Sequence, residues 1–487
     1  MAVVGLLAIL PIWIPTFPAM VDVPQHAAQT AIYARLTDPS FRFAPLFVRH
    51  TLTPNLAGYV PLLLLGPLVG LVAATKLVMS IGLVCFLLTV AWLIEEFGSD
   101  ARLALLAVPG LSGFPFQWGF LSFVSAAPVG ICFLIAYLRY FRRPTLGRGA
   151  ALMAFFGFVF FCHAMVAAFA AGLAMAFAVV GVRSARELAV RWMPVLGTVP
   201  VAGLWWAHSV IHNPFSLSEG RVEWQMSWDR VPEFFTYIVG WQSQSTVDDC
   251  MAAFWVLLAV VPLMLLLGLR RKIRYYVLFA CCLGVMLLAP GNVMHVGCIH
   301  GRFSIFALPF AALALKPMES VTRRRARLAM TWLLVISLGW TALLAQRMRV
   351  FEREAHGFAT VLAQMEPGNR ALALSCIWNA SGFEGAVFLH FPAWYSALKG
   401  GITDVSFAEG NVNLVNYRPD AMPAVRFSDF EWHPWDFRWA KHEGWRYRYF
   451  VVHDKVSRAE LFADAPVPVV LRAHDGDWWL WENTSGR

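Results

Sequence analysis

The amino-acid sequence predicts a polytopic α-helical membrane protein of about eleven spans, followed by a C-terminal α/β domain on the extracytoplasmic side. Of its 487 residues, 59% are hydrophobic and 14% are charged, against roughly 25% charged residues in soluble domains. The mean hydropathy of +0.59 agrees with long stretches of chain that face lipid. Residues 351–487 differ, because charged residues are more frequent there and no apolar run reaches spanning length.

The basic residues set the orientation of the predicted spans. A formal net charge of +9 would suggest nucleic-acid binding in a soluble protein. Here the basic residues gather in short loops between apolar runs, which is the positive-inside pattern, so we expect no nucleic-acid partner. The predicted cytoplasmic clusters are Arg139, Arg142, Arg143 and Arg148; Arg183, Arg186 and Arg191; Arg270, Arg271, Lys272 and Arg274; and Arg323, Arg324, Arg325 and Arg327.

A topology of eleven spans places all four basic clusters on the same side of the membrane. A span needs about 20 apolar residues, or fewer in short helices within a bundle. With the N-terminus inside, residues 1–20 form the first span and bring Asp22 to the outer side, where a helix is predicted over 24–36. The later predicted spans are 77–94, 101–115, 119–138, two within 150–182, 192–211, 251–269, 275–290, 303–316 and 328–346.

Two assignments depend on this count. Residues 57–74 are apolar, but a crossing there would place the cluster around Arg139 outside, so we assign them to the outer interface or to a re-entrant segment. Residues 150–182 are apolar with basic residues on both flanks. One continuous helix would put those flanks on opposite sides, so we predict a hairpin of two short helices that turns near His163.

The predicted domains are a transmembrane module, residues 1–346 with an outer loop over 21–76, and an extracytoplasmic α/β domain, residues 347–487. In the second domain the pattern predicts a helix over 351–365 and strands over 371–377 and 449–453. Two more strands, 467–472 and 478–481, flank a polar segment at 474–477 that is typical of a hairpin turn.

Asp22 is the first candidate for a functional residue. A carboxylate beside a bilayer is unfavourable unless it faces water, a partner or a site. The alternative is an aspartate that only caps the helix that follows it. His26 lies four residues further on and can share a helix face with Asp22, either as its hydrogen-bond partner or a ligand, or as an ordinary interface histidine.

Three further candidates, His163, His300 and Arg302, lie in or beside predicted spans. His163, at the tip of the predicted hairpin, would face the same side as Asp22; the alternative is a histidine satisfied within the packing. Arg302, which follows His300 and Gly301, offers a planar guanidinium suited to phosphate, or it anchors a helix end in lipid headgroups. The positive-inside rule disfavours an arginine on the outer side, which favours a function for Arg302.

The sequence predicts no metal site or other cofactor. One aspartate with scattered histidines is too small a ligand set to predict a metal, although a divalent cation is left open. The Trp-rich stretch 431–439 is also unusual, because exposed aromatic rings stack on sugars or lie at membrane interfaces. The alternative is that these rings pack in the core of the C-terminal domain.

Together these features resemble the GT-C superfamily of membrane glycosyltransferases. The resemblance rests on Asp22 just after the first span, within residues 22–26 (DVPQH), and on the long outer loop, the many spans and the outer α/β domain. Residues 117–123 (QWGFLSF) resemble the GF-x-N-F element of bacterial members, with Ser122 where asparagine is usual. Residues 300–303 (HGRF) resemble their late R-F element.

The resemblance implies an inverting glycosyltransferase of the bacterial inner membrane. It would transfer a sugar from a polyprenyl-phosphate donor to a lipid, glycan or protein acceptor on the extracytoplasmic face. Asp22 would deprotonate the acceptor hydroxyl, and Arg302 would steady the lipid phosphate. His26, His163 and His300 join Arg302 in the predicted substrate-binding site. The alternatives are a transporter or lipid flippase, which the absence of an internal repeat disfavours, and a non-catalytic scaffold with the same fold.

Overall fold

A computed structural model describes residues 2–212, 222–224, 227–241, 245–293, 296–383, 385–409, 413–425 and 430–486. Parts of the predicted outer loops 212–250 and 291–301 therefore lie outside the described residues. Contacts between α-carbons divide the chain into two compact units. The first unit is Met1–Pro11, Pro54–Gly58 and Val78–Ala345, and the second is Ile12–Thr53, Tyr59–Leu77 and Gln346–Arg487.

The described chain is mainly helical. The α-helices are α1 (Ala2–Ile9), α2 (Val23–Arg35), α3 (Leu56–Val69), α4 (Leu71–Glu96), α5 (Phe114–Gln117), α6 (Leu121–Arg142), α7 (Leu146–Cys162), α8 (Ala164–Gly181), α9 (Ala185–Leu196), α10 (Val199–His212), α11 (Arg230–Val239), α12 (Thr246–Leu267), α13 (Val277–Leu288), α14 (Ala307–Ala312), α15 (Arg323–Ala355), α16 (Gly357–Gln364) and α17 (Trp394–Lys399). The strands are β1 (Phe47–Arg49), β2 (Val222–Glu223), β3 (Asn292–Val293), β4 (Arg370–Ser375), β5 (Ile402–Asp404), β6 (Val415–Tyr417), β7 (Tyr449–His453), β8 (Val469–Asp475) and β9 (Trp478–Asn483).

Among the described residues, six helical segments are long and apolar enough to cross a membrane, as expected of a multi-pass membrane protein. They are α4, α6, α8, Ala185–His208, α12 and Arg323–Gln364. Five shorter apolar helices are Val3–Trp13, α3, Ala101–Ser112, α7 and α13. Ala101–Ser112 is a 3₁₀ helix, and its rise of about 2.0 Å per residue makes it longer than an α-helix of the same residue count. The total of eleven spans stays a prediction.

The apolar segment 57–74 is divided at Gly70. Helix α3 ends at Val69 and contains Pro61 and Pro67, and Gly70 adopts a positive φ of 79°. That conformation suits glycine and interrupts the helix. Helix α4 then begins at Leu71, six residues before the predicted span at 77–94, so the last part of the segment belongs to the following helix.

The predicted turn near His163 is confirmed. Helix α7 ends at Cys162, His163 is extended with φ −167° and ψ 115°, and α8 begins at the next residue. Helix α7 runs antiparallel to α6, whereas α8 runs parallel to α6. Helices α7 and α8 are therefore antiparallel to each other. The contacts that give these directions are Gly149 with Tyr140, Phe156 with Phe133, His163 with Phe123, and Phe177 with Phe141.

Three of the basic clusters lie at one end of the first unit. Arg139 and Arg142 form ion pairs with Glu96, Arg191 donates to the carbonyl oxygen of Tyr140 at 3.3 Å, and Arg270 donates to the carbonyl oxygens of Phe97 and Gly98 at 3.1 and 2.8 Å. The clusters therefore share one side of the helical unit, as the positive-inside pattern requires. That this side is cytoplasmic stays a prediction.

The C-terminal α/β domain is present in the second unit as a five-stranded sheet in the order β5-β4-β7-β9-β8. Strand β4 is parallel to β5 and β7, whereas β9 is antiparallel to β7 and β8. The predicted strands correspond to β4, β7, β8 and β9. The predicted hairpin joins β8 to β9, and its turn contains Gly476 at a φ of 58°.

Most of the predicted outer loop belongs to the second unit. The Gln25 side chain donates to the carbonyl oxygen of Val405 at 2.7 Å and accepts from the backbone of Phe407 at 3.2 Å. Gln29 accepts from the backbone of Val415 at 2.9 Å, and β1 pairs with β6. The predicted module 1–346 contained this loop, whereas the contacts group Ile12–Thr53 with Gln346–Arg487.

Candidate functional site

Asp22 directly precedes α2 but does not cap it through its side chain. Its backbone carbonyl accepts from the backbone N–H of His26 at 3.0 Å, which begins the helix, and its carboxylate makes no capping hydrogen bond. Asp22 Oδ1 instead lies 3.1 Å from Nδ1 of His390. The capping alternative therefore does not account for this carboxylate.

His390 joins Asp22 to a second carboxylate. Its Nε2 lies 3.1 Å from Oε2 of Glu431, and Asp22, His390 and Glu431 are 8%, 4% and 9% exposed. Burial lowers the pKa of His390, but its hydrogen bonds to Asp22 and Glu431 and their negative charges outweigh burial and raise the pKa to about 9. At neutral pH both ring nitrogens then carry protons, and each donates to one carboxylate.

The arrangement holds a carboxylate in a fixed orientation. Two buried carboxylates would repel one another without a cation between them, and the imidazolium of His390 offsets their charge. Asp22 uses Oδ1 for this bond, which leaves Oδ2 outside it. A carboxylate fixed through one oxygen can accept a proton on the other, which is the property required of a general base.

His26 lies in the same part of the second unit. Its Nδ1 is 2.9 Å from the hydroxyl of Tyr59, which donates to Oδ1 of Asn413 at 3.3 Å. The Phe407 ring packs edge-on against His26, at 5.6 Å between centroids, and against His390, at 5.4 Å. One aromatic ring therefore separates the predicted histidine from the histidine that binds Asp22.

The segment that carries Phe407 begins with a strained residue. Val405 has a φ of 68°, a conformation that is unfavourable for a β-branched side chain. It is fixed on one side by Asp404, whose carboxylate accepts two hydrogen bonds of 2.9 Å from Arg370. On the other side Gln25 binds its carbonyl oxygen. This strain is maintained where the segment contacts the helix that follows Asp22.

Arg302 belongs to the first unit and is half-buried. Its guanidinium carbon lies 3.5 Å from the centroid of the Phe120 ring, and Nη2 donates to the carbonyl oxygen of Gly297 at 3.0 Å. These contacts fix the plane of the guanidinium. An arginine that only anchors a helix end in headgroups would extend along the helix surface instead.

His300 is buried beside an acidic residue of the first unit. Its Nε2 lies 3.4 Å from Oε2 of Glu233, which is an ion pair when the imidazole is protonated. Its ring is 5.7 Å from that of Tyr237. Nδ1 of His300 is buried without a hydrogen-bond partner among the described residues. A buried polar atom of this kind is unfavourable unless another group satisfies it.

The two short motifs of the first unit pack on one another. Phe120 lies under Arg302, and Phe123 packs on both Phe303 and His163 at centroid distances of 5.6 and 5.3 Å. Residues 117–123 therefore contact two predicted site residues, His163 and Arg302. His300 lies in the same 3₁₀ helix as Arg302. Ser122, which stands where asparagine is usual, donates to the carbonyl oxygen of Asn55 at 2.7 Å. The other two predicted residues, Asp22 and His26, belong to the second unit.

We expect Gly301→Ala to destabilise the first unit by roughly 1–3 kcal/mol. A Cβ atom at Gly301 would lie 2.8 Å from the ring of Phe114 and 3.1 Å from that of Tyr237. Thermal unfolding of the purified protein measures the effect. Gly284→Ala is the control, because its Cβ would meet open space. Equal melting temperatures for the two variants would contradict the prediction.

The sequence did not single out His390 or Glu431 as site residues. His390 lies within the apolar run 386–393. Glu431 is the first residue of the Trp-rich stretch, in which only the aromatic rings were considered as candidates for binding. In the described ranges, no group of three or more His, Cys, Asp or Glu side chains is placed to hold a metal ion. The expectation of no metal cofactor stays a prediction.

The chain shares its fold with solved structures of ArnT and AftD, in agreement with the resemblance drawn from the sequence. ArnT from Cupriavidus metallidurans bound to undecaprenyl phosphate matches 100% of this chain and 97% of its own, with a TM-score of 0.56 at 12% identity. Apo ArnT matches 99% and 97% of the two chains, with a TM-score of 0.53 at 13% identity. Arabinofuranosyltransferase AftD from Mycobacteria matches 100% of this chain and 40% of its own, with a TM-score of 0.52 at 14% identity. No protein-family model and no curated protein sequence matches the chain.

Proposed function

We propose that this protein is a membrane glycosyltransferase that moves a sugar from a polyprenyl-phosphate donor to an acceptor hydroxyl on the extracytoplasmic face, with Asp22 as the base. The main support is the buried carboxylate of Asp22, which makes no capping hydrogen bond. It is oriented by His390, which in turn contacts Glu431. The shared fold with ArnT, which binds undecaprenyl phosphate, supports the class of donor.

In the proposed reaction the acceptor hydroxyl oxygen attacks the anomeric carbon of the donor sugar. Asp22 accepts the hydroxyl proton as the new carbon–oxygen bond forms, which makes the oxygen a better nucleophile. The bond between the anomeric carbon and the phosphate oxygen breaks, and polyprenyl phosphate leaves with the electron pair. Attack opposite to the leaving group inverts the anomeric configuration. His390 positions the base.

The leaving phosphate gains negative charge, and the first unit offers Arg302 to bind it. A guanidinium stabilises such charge best when its plane is already fixed. The Phe120 ring and the Gly297 carbonyl fix Arg302 in this way. We assign donor binding to Arg302 and His163, which contact residues 117–123, and to His300, which lies in the same 3₁₀ helix as Arg302. We assign acceptor binding to His26.

Asp22→Asn tests the proposal. The substitution keeps the size of the side chain but removes its basicity, and we expect transfer from radiolabelled polyprenyl-phosphate sugars in membranes to fall by about 10²–10⁴-fold. Asp38→Asn is the control, because Asp38 lies in the same predicted outer loop but is exposed, and its carboxylate accepts from the backbone N–H of Ser40.

Equal transfer by wild type and Asp22→Asn would exclude Asp22 as the base. A wild-type protein that transfers no sugar from any donor would favour the scaffold or transporter alternative. Loss of transfer in Asp22→Asn, with transfer retained by Asp38→Asn, would support the proposal.

A further inference from the structure

The Trp-rich stretch divides into a buried part and an open part. Phe437 and Trp439 are buried in the core of the second unit, as the packing alternative expected. Trp432 is half-buried, and Trp435 is 39% exposed. Both of these contact Trp378, at centroid distances of 5.3 and 5.8 Å. Trp378, Trp432 and Trp435 form what we call the tryptophan cluster.

The tryptophan cluster lies where α/β sheets commonly bind ligands. Trp378 follows the carboxyl end of β4, whose neighbours β5 and β7 are parallel to it. The space beyond the carboxyl ends of parallel strands is a frequent ligand site. The indole N–H of Trp378 is buried and has no hydrogen-bond partner among the described residues. The imidazole of His433 packs against Trp435 at 5.6 Å and is exposed, so a polar group borders the rings.

We propose that the tryptophan cluster binds a sugar ring of the acceptor, which makes the acceptor a glycan or a glycolipid. This inference rests on the proposed function. The C–H face of a sugar ring packs on an indole, and its hydroxyls bind the polar edge. Trp432 is adjacent in sequence to Glu431, which His390 connects to Asp22. The tryptophan cluster is therefore one residue along the chain from the group that fixes the proposed base.

Membrane anchoring is the other common use of exposed tryptophans. Two charged residues, Asp436 and Arg438, are exposed in the same short stretch as Trp435. Charged side chains are unfavourable in the apolar layer of a bilayer. The rings also pack against each other rather than lying separately on the surface. These observations favour a sugar over a lipid as the occupant.

Binding of the detergent-solubilised full chain to an array of lipid-free bacterial cell-envelope oligosaccharides tests the proposal without relying on transfer. We expect wild type to bind at least one oligosaccharide, and Trp435→Ala to bind it roughly tenfold more weakly. Trp435→Tyr should retain most of the binding, because it keeps an aromatic face. Trp445→Ala is the control, since Trp445 is 58% exposed in the same unit and lies outside the tryptophan cluster.

Equal binding by wild type and Trp435→Ala, or no binding by wild type, would overturn the proposal. Quenching by brominated phospholipids in proteoliposomes supplies a second measurement. A loss of quenching in Trp435→Phe that exceeds the loss in Trp445→Phe would identify a membrane anchor instead. Neither result would alter the Asp22→Asn outcome, so failure of the acceptor site and failure of the glycosyltransferase proposal are distinguishable.

Discussion

His390→Ala is expected to destabilise the second unit by about 3–5 kcal/mol and to reduce transfer sharply. The substitution leaves Asp22 and Glu431 as two buried carboxylates without the cation between them, and removal of one member of a buried charged group is strongly destabilising. Thermal unfolding in detergent measures the stability. Sugar transfer at a temperature where the variant is folded measures the effect on the base.

Two further variants separate loss of charge from loss of packing. His356→Ala removes an exposed histidine of the same unit and should leave the melting temperature nearly unchanged. His390→Ala combined with Glu431→Gln should regain part of the lost stability, because fewer buried charges then lack a partner. A His390→Ala protein as stable as wild type would show that the carboxylates are compensated by other groups.

We expect the stability of the protein to fall as the pH rises through about 9. His390 binds its proton more tightly in the folded chain, with a pKa of about 9, than in the unfolded chain, where the ordinary value is 6.5. This contribution is therefore complete below pH 6.5 and is lost as pH rises through the folded pKa, for a total of about 3 kcal/mol. Melting temperatures measured between pH 6 and pH 10 give the dependence.

His390→Gln supplies the reference for this pH series. Its side chain does not titrate, so the difference in melting temperature between wild type and His390→Gln should shrink between pH 7 and pH 10. A difference that stays constant over this interval would show that His390 is not protonated in the folded protein. The comparison also removes the effect of other groups that titrate at high pH, since both proteins contain them.

The helical part of the fold was predictable where charge and length constrained it together. The basic residues on both flanks of 150–182 required an even number of crossings, and the structure places the turn at His163. The break at Gly70 was not predicted, since apolar composition continues through it. The conformation of one glycine decides where α4 begins. Likewise, α15 continues to Ala355, past residue 346 where the last span was predicted to end and into the separate helix predicted over 351–365.

The candidate site was predictable only in part. Asp22 was recognisable because a carboxylate directly after an apolar span is unfavourable unless it faces water, a partner or a site. His390 is 368 residues away from it, and a single sequence contains no signal for so distant a pairing. Burial supplies the missing criterion, because a buried carboxylate requires a cationic partner. A search of the apolar runs of the C-terminal domain for His, Lys or Arg would have included His390.

The second unit is built from three separate stretches of chain, and this fixes when it can assemble. Ribosomes add about 5–20 residues per second, so His390 is made roughly 20–70 s after Asp22, given the 368 residues between them. Val405, which binds Gln25 of α2, and Val415, which pairs with Arg49 of β1, are also synthesised late. During most of synthesis, α2 therefore lacks the C-terminal residues that it contacts in the folded chain. A chain that stops short of Glu431 lacks one of the two carboxylates that contact His390, so under the proposed function we expect activity only from chains that extend past this residue.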